Sequence, residues 1–121
     1  MPRTSSIKKS QKESLLRREI SALLQVASLD NSQLAGLNIS RVELSDDKGV
    51  CSIFFYSPDG QDVFEQKFDT LLLFRNSLRK AIAQKIPGRY VPELIFKYDT
   101  QLEKQLAIER LLDQIKHEPE N

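Results

Sequence analysis

The stretch RYVPELIFKYD, residues 89–99, sets the problem that the rest of the chain has to solve. From Glu93 onward, Leu94, Phe96 and Tyr98 alternate with Glu93, Ile95 and Lys97, the period of two that marks a half-buried strand. Pro92 can stand ahead of such a strand but not within it. One strand alone leaves its backbone N–H and C=O groups without partners, so others must pair with it. They must come from earlier in the chain. After Asp99 the apolar residues Leu102, Leu106, Ile108, Leu111, Leu112 and Ile115 recur at helical spacing, which predicts a final helix rather than another strand.

The partners are legible in VELSDDKGVCSIFFY, residues 42–56. It predicts a hairpin with a strand near 39–45, a tight DDKG turn at 46–49 and a strand at 50–57 rich in β-branched and aromatic residues. In the second strand Cys51, Ile53 and Phe55 alternate with Val50, Ser52, Phe54 and Tyr56, so one face should meet helices and the other stay partly open. Ahead of the hairpin, Leu16, Ile20, Leu23, Leu24 and Ala27 form one stripe of a helix expected over Ser6–Ser28, with the first five residues disordered. A turn segment, DNSQLAGLN, follows at 30–38.

A helical pattern then runs from Gln61 to Ile86, long for a globular helix. Asn76 and Ser77 are weak helix formers near its middle, and asparagine tolerates left-handed backbone, so a kink is expected at Phe74–Asn76 between helices Gln61–Leu73 and Ser77–Ile86. Pro87 and Gly88 should end the second helix. The predicted fold is α+β, a three-stranded sheet under helices in the order helix, strand, strand, helix, kink, helix, strand, with a C-terminal helix. That order matches the KH-like module of the bacterial type (type II), an RNA-binding fold. Residues 6–99 would form this domain, and 100–121 a helical extension whose Leu102, Leu106 and Ile108 dock on it while the chain from Lys116 stays mobile.

A chain of 121 residues buries one core. No apolar run approaches the ~20 residues of a membrane span and no signal-peptide apolar segment follows the basic start, so a cytoplasmic protein without a membrane partner is expected. The single cysteine, Cys51, lies in an apolar strand pattern and reads as a buried residue rather than a reactive thiol. The single histidine, His117, falls in a hydrophilic tail unsuited to a general base. Asp46 and Asp47 sit beside Gly49 in a hairpin turn, where backbone geometry explains them better than paired-carboxylate chemistry. With no metal-ligand spacing and no phosphate-loop or dinucleotide fingerprint, no enzyme, metal or cofactor is expected.

Net charge is near zero, but the charges are segregated. Residues 1–19 carry six basic and two acidic residues, residues 30–74 three basic and eight acidic, and residues 75–98 six basic with Glu93 as the one acid. Two basic blocks parted by an acidic one can steer an anionic partner. From 75 to 89 no acid interrupts Arg75, Arg79, Lys80, Lys85 and Arg89. Together with Asn76, Tyr90 and the first block, Lys8, Lys12, Arg17 and Arg18, these are the candidate RNA-binding residues. Phe54, Tyr56, Tyr90 and Tyr98 could stack on bases, although a small sheet needs such side chains in its core. The four glycines, at 36, 49, 60 and 88, give no GxxG, so the usual nucleotide clamp of a KH module is absent.

The strings RYVPELIFKYDTQLEKQ and VELSDDKGVCSIFFY resemble ribosome-binding factor A, a bacterial assembly factor of the small ribosomal subunit. The similarity covers about residues 7–112, and PEL-x-F-x-x-D is its most specific part. It implies a KH-like fold in which an Ala-x-Gly kink replaces the clamp. In this chain Phe74, Arg75 and Asn76 occupy those positions. It further implies a monomer that binds free small subunits through ribosomal RNA during late rRNA processing, in cooperation with assembly GTPases. From the charge pattern alone the alternative is a protein-interaction domain for an acidic partner.

Overall fold

A computed structural model describes residues 2–86 and 91–116, with side chains from Ile7 onward. Helix α1 spans Pro2–Asp30, strands β1 and β2 span Asn38–Leu44 and Val50–Tyr56, helix α2 spans Gln61–Lys85, strand β3 spans Glu93–Tyr98 and helix α3 spans Thr100–Lys116. The strands lie in the order β1-β2-β3, with β1 antiparallel and β3 parallel to β2. The strand of the opening quotation thus finds its partner in the second arm of the hairpin. Because the pairing is parallel, α2 must serve as the crossover between β2 and β3.

One face of the sheet is covered by α1 and α2. Val42, Leu44, Cys51, Ile53, Phe55, Leu94, Phe96 and Tyr98 point inward against Leu16, Ile20 and Leu24 of α1 and Phe64, Leu71, Leu78 and Ile82 of α2. The alternation read from the sequence holds residue by residue, with buried Cys51, Ile53 and Phe55 and half-buried Val50, Ser52, Phe54 and Tyr56. Burial pushes the Cys51 thiol up to about 12, so it stays protonated and inert. Strand β1 is an edge, and its Leu44 N–H is capped by the Glu13 carboxylate of α1 at 2.7 Å. In the hairpin turn Asp47 accepts hydrogen bonds from the Ser45 hydroxyl and the Gly49 N–H, which hold its carboxyl below the usual carboxylate range.

Three expectations are corrected. First, α2 is a single unbroken helix, and Lys48 in the hairpin, not Asn76, is the non-glycine residue with positive φ among those described (φ 61°). Phe64, Leu71, Leu78 and Ile82 bury one continuous stripe through the expected kink, and that burial outweighs the ~0.7 kcal/mol by which asparagine falls short of alanine in a helix. Second, α1 already begins at Pro2, where proline fits the first turn because its missing N–H would have had no partner there. Third, Ile108 does not dock. Leu102 and Leu106 are half-buried, but Ile108, Leu111, Leu112 and Ile115 are 57–60% exposed. The Pro87–Gly88 stop and the tail beyond Lys116 lie outside the described residues. Among the described residues no helix is long and apolar enough to cross a membrane.

Candidate nucleic-acid interface

The burial of α2 decides where its cations go. Because Leu71, Leu78 and Ile82 face the sheet, Asn76, Arg79 and Lys80 stand exposed, with Arg75 half-buried beside them. Asn76, Lys80 and Ala83 are four and three residues apart and so share one side of the helix. With Arg79 and with Val91, on the approach to β3, they line a groove of about 400 Å³. Arg79 closes this groove on the strand side by donating from Nη2 to the Val91 carbonyl at 3.2 Å. No carboxylate among the described residues lines it.

Lys85 belongs elsewhere. It pairs with Glu19 of α1 at 3.5 Å, which spends its charge on helix packing. Arg89 and Tyr90 lie outside the described residues. The α1 block is more dispersed than its sequence suggests. Lys8 and Lys12 are one turn apart, and Lys12 lies in line with Glu19, seven residues on. Arg18 lines a separate groove with Ser10, Gln11, Ser14 and Leu15, and Arg17 is exposed next to it. Lys9, between the candidates, pairs with Asp46 of the hairpin at 3.2 Å.

Of the four aromatic candidates, Tyr98 is in the core, where its hydroxyl donates to the Ser57 carbonyl, and Tyr56 is half-buried against it. Phe54 lies on the open face of the sheet but is covered by the Arg41 guanidinium, 3.9 Å from the ring centroid, with the Lys97 ammonium 5.8 Å from it. Its ring is therefore not a free stacking platform.

Sequence reasoning missed the network that holds Arg41 there. At β1 the register slips between Ile39 and Arg41, a bulge that turns the Ser40 hydroxyl toward Asp99 at 2.6 Å and lets Arg41 Nε reach the same carboxylate at 3.1 Å. Asp99 also caps α3 by accepting from the Leu102 N–H at 2.9 Å. Burial disfavours the charge on Asp99, but the hydrogen bonds from Ser40, Leu102 and Arg41 outweigh it and hold the carboxyl below the usual range. The available signal was the aspartate closing PEL-x-F-x-x-D, directly ahead of a helical pattern. Nothing in sequence spacing pointed to Ser40, which is 59 residues away.

The family model described as Ribosome-binding factor A matches residues 8–112. A ribosome-binding factor A of Prochlorococcus marinus subsp. pastoris is 37% identical over 110 residues, covering 89% of this chain and 83% of that protein. One from Desulfitobacterium hafniense is 29% identical over 105 residues, covering 87% and 83%. Among solved structures, the crystal structure of ribosome-binding factor A from Thermus thermophilus shares the fold, with a TM-score of 0.64 and 24% identity over 74% of this chain and 93% of that one. The solution structure of a putative ribosome binding factor A from Thermotoga maritima gives a TM-score of 0.53 at 25% identity, over 70% and 84%.

Proposed function

The chain belongs to the ribosome-binding factor A family, and from that premise we propose that it is a non-enzymatic maturation factor that binds free small ribosomal subunits through their ribosomal RNA during late processing and assembly. In this reading it acts as a cytoplasmic monomer, associates with the subunit before translation and leaves with the help of assembly GTPases. Residues 6–99 supply the RNA-binding domain, with 100–121 as its extension.

The observation that carries the reading is the C-terminal half of α2, where no acidic residue stands between Arg75 and Lys85, the acids of this helix, Asp62, Glu65 and Asp69, all lying in its N-terminal half. Arg75, Arg79 and Lys80 make no ion pair among the described residues, unlike Lys9 and Lys85, so their charge remains available to phosphate oxygens. A helix whose opposite side is locked in the core presents these cations with little further ordering cost, which favours binding. Lys8, Lys12, Arg17 and Arg18 add a second, more scattered positive field that aids steering.

Sedimentation of cell extract tests the assignment. The protein should travel with free small subunits, not with translating ribosomes, at low salt, and should leave them as salt is raised. Migration apart from small subunits at low salt would contradict it.

A further inference from the structure

Phosphate contacts leave the amide of Asn76 without a purpose. Asparagine is a weaker helix former than alanine, and Asn76 stands in the middle of α2, exposed, with no side-chain hydrogen bond among the described residues. It caps no helix end among the described residues. Its place is the mouth of the groove formed with Arg79, Lys80, Ala83 and Val91.

We propose that this groove seats one unpaired adenine nucleotide of RNA, with the base against Ala83 and Val91, its edge on the Asn76 amide and its flanking phosphates on Arg79 and Lys80. The inference rests on the RNA-binding reading above and adds to it a base preference. An amide offers a donor and an acceptor side by side, the complement of adenine N6 and N7. Ala83 and Val91 give the base an apolar wall, and the bond from Arg79 to the Val91 carbonyl holds one cation at the edge of that wall. A base within a duplex has both faces stacked and cannot enter, so the nucleotide must be unpaired. Among the described residues the groove has no acidic lining side chain to repel the backbone that accompanies the base.

Fluorescence anisotropy at one fixed salt, with hexaadenylate, hexauridylate and an RNA duplex of equal phosphate number as probes, tests the inference. Wild type should bind hexaadenylate about five- to tenfold more tightly than hexauridylate or the duplex, the low end of what a bidentate amide contact discriminates. Asn76→Ala should abolish that preference, bringing hexaadenylate binding down to the level of hexauridylate. Alanine is the better helix former, so a misfolded helix cannot be the cause. Equal affinity for the two oligomers overturns the inference, and so does a preference that survives Asn76→Ala, which would assign it to stacking alone. If no probe binds in a manner that Arg79→Glu, Lys80→Glu weakens, the phosphate reading beneath it fails as well.

Discussion

Helices α2 and α3 both carry apolar stripes, but they turn them in opposite directions. In α2 the stripe of Leu71, Leu78 and Ile82 is buried and the basic residues face out. In α3 the side that approaches the domain is mixed, with Leu106, Glu109, Arg110 and Asp113 lying near Tyr56 and Pro58, while Ile108, Leu111, Leu112 and Ile115 are exposed. The contrast shows which positions the fold itself fixes. The cations of α2 are held by the core on its far side, whereas α3 is held mainly at its first turn, by the Asp99 cap and by the Tyr98 hydroxyl, whose one proton is shared between the Ser57 carbonyl and the Glu103 carboxylate, each 3.2 Å away.

The largest test of that contrast is stability. Leu78→Ala in α2 should cost about 2–5 kcal/mol in chemical denaturation, because it empties a fully packed site. The equivalent change at Ile108 or Leu112 should stay within about 0.5 kcal/mol. Comparable losses in the two helices would mean that α3 packs on the domain after all.

A step smaller, Asp99→Ala should cost roughly 1–3 kcal/mol, since it removes a helix cap and two hydrogen bonds to a buried carboxylate. The sign of its pH dependence follows from the lowered carboxyl. A folded-state pKa below the unfolded value of about 3.9 contributes stability that is fully present above that value and is lost as pH falls through the folded pKa. Wild type should therefore lose stability in acid more steeply than Asp99→Asn over that window. Parallel acid-denaturation curves would remove Asp99 from the account.

The smallest effect separates a straight α2 from a kinked one. Asn76→Gly should destabilise by a few tenths of a kcal/mol and Asn76→Ala should stabilise by about 0.7 kcal/mol, measured by thermal melting. The reverse order is what left-handed backbone at Asn76 would produce.

The sheet, its hairpin and the burial of each strand face were readable because a period of two is set by backbone geometry and survives any packing. Asn76 misled for the opposite reason. Propensity is a local term of less than 1 kcal/mol, and the stripe from Phe64 to Ile82 draws on burial that no local window contains. Ile108 misled because a helical stripe tells which side is apolar and not whether anything covers it. Within the candidate site, Arg79 and Lys80 were visible as charge without neighbouring acid. Val91, Ala83 and the pairing of Lys85 with Glu19 depend on how α1, α2 and β3 meet.

The most direct measurement of the central claim is binding to purified small subunits as a function of salt, for wild type and for Arg79→Glu, Lys80→Glu, with melting followed in parallel. If the α2 face contacts phosphates, the variant should bind more weakly and the slope of log affinity against log salt should shrink by about 2, one for each cation lost. Its stability should stay within about 1 kcal/mol of wild type, since both side chains are exposed. Unchanged affinity and an unchanged slope in a folded variant would contradict the account and move the contact to the Lys8–Arg18 block.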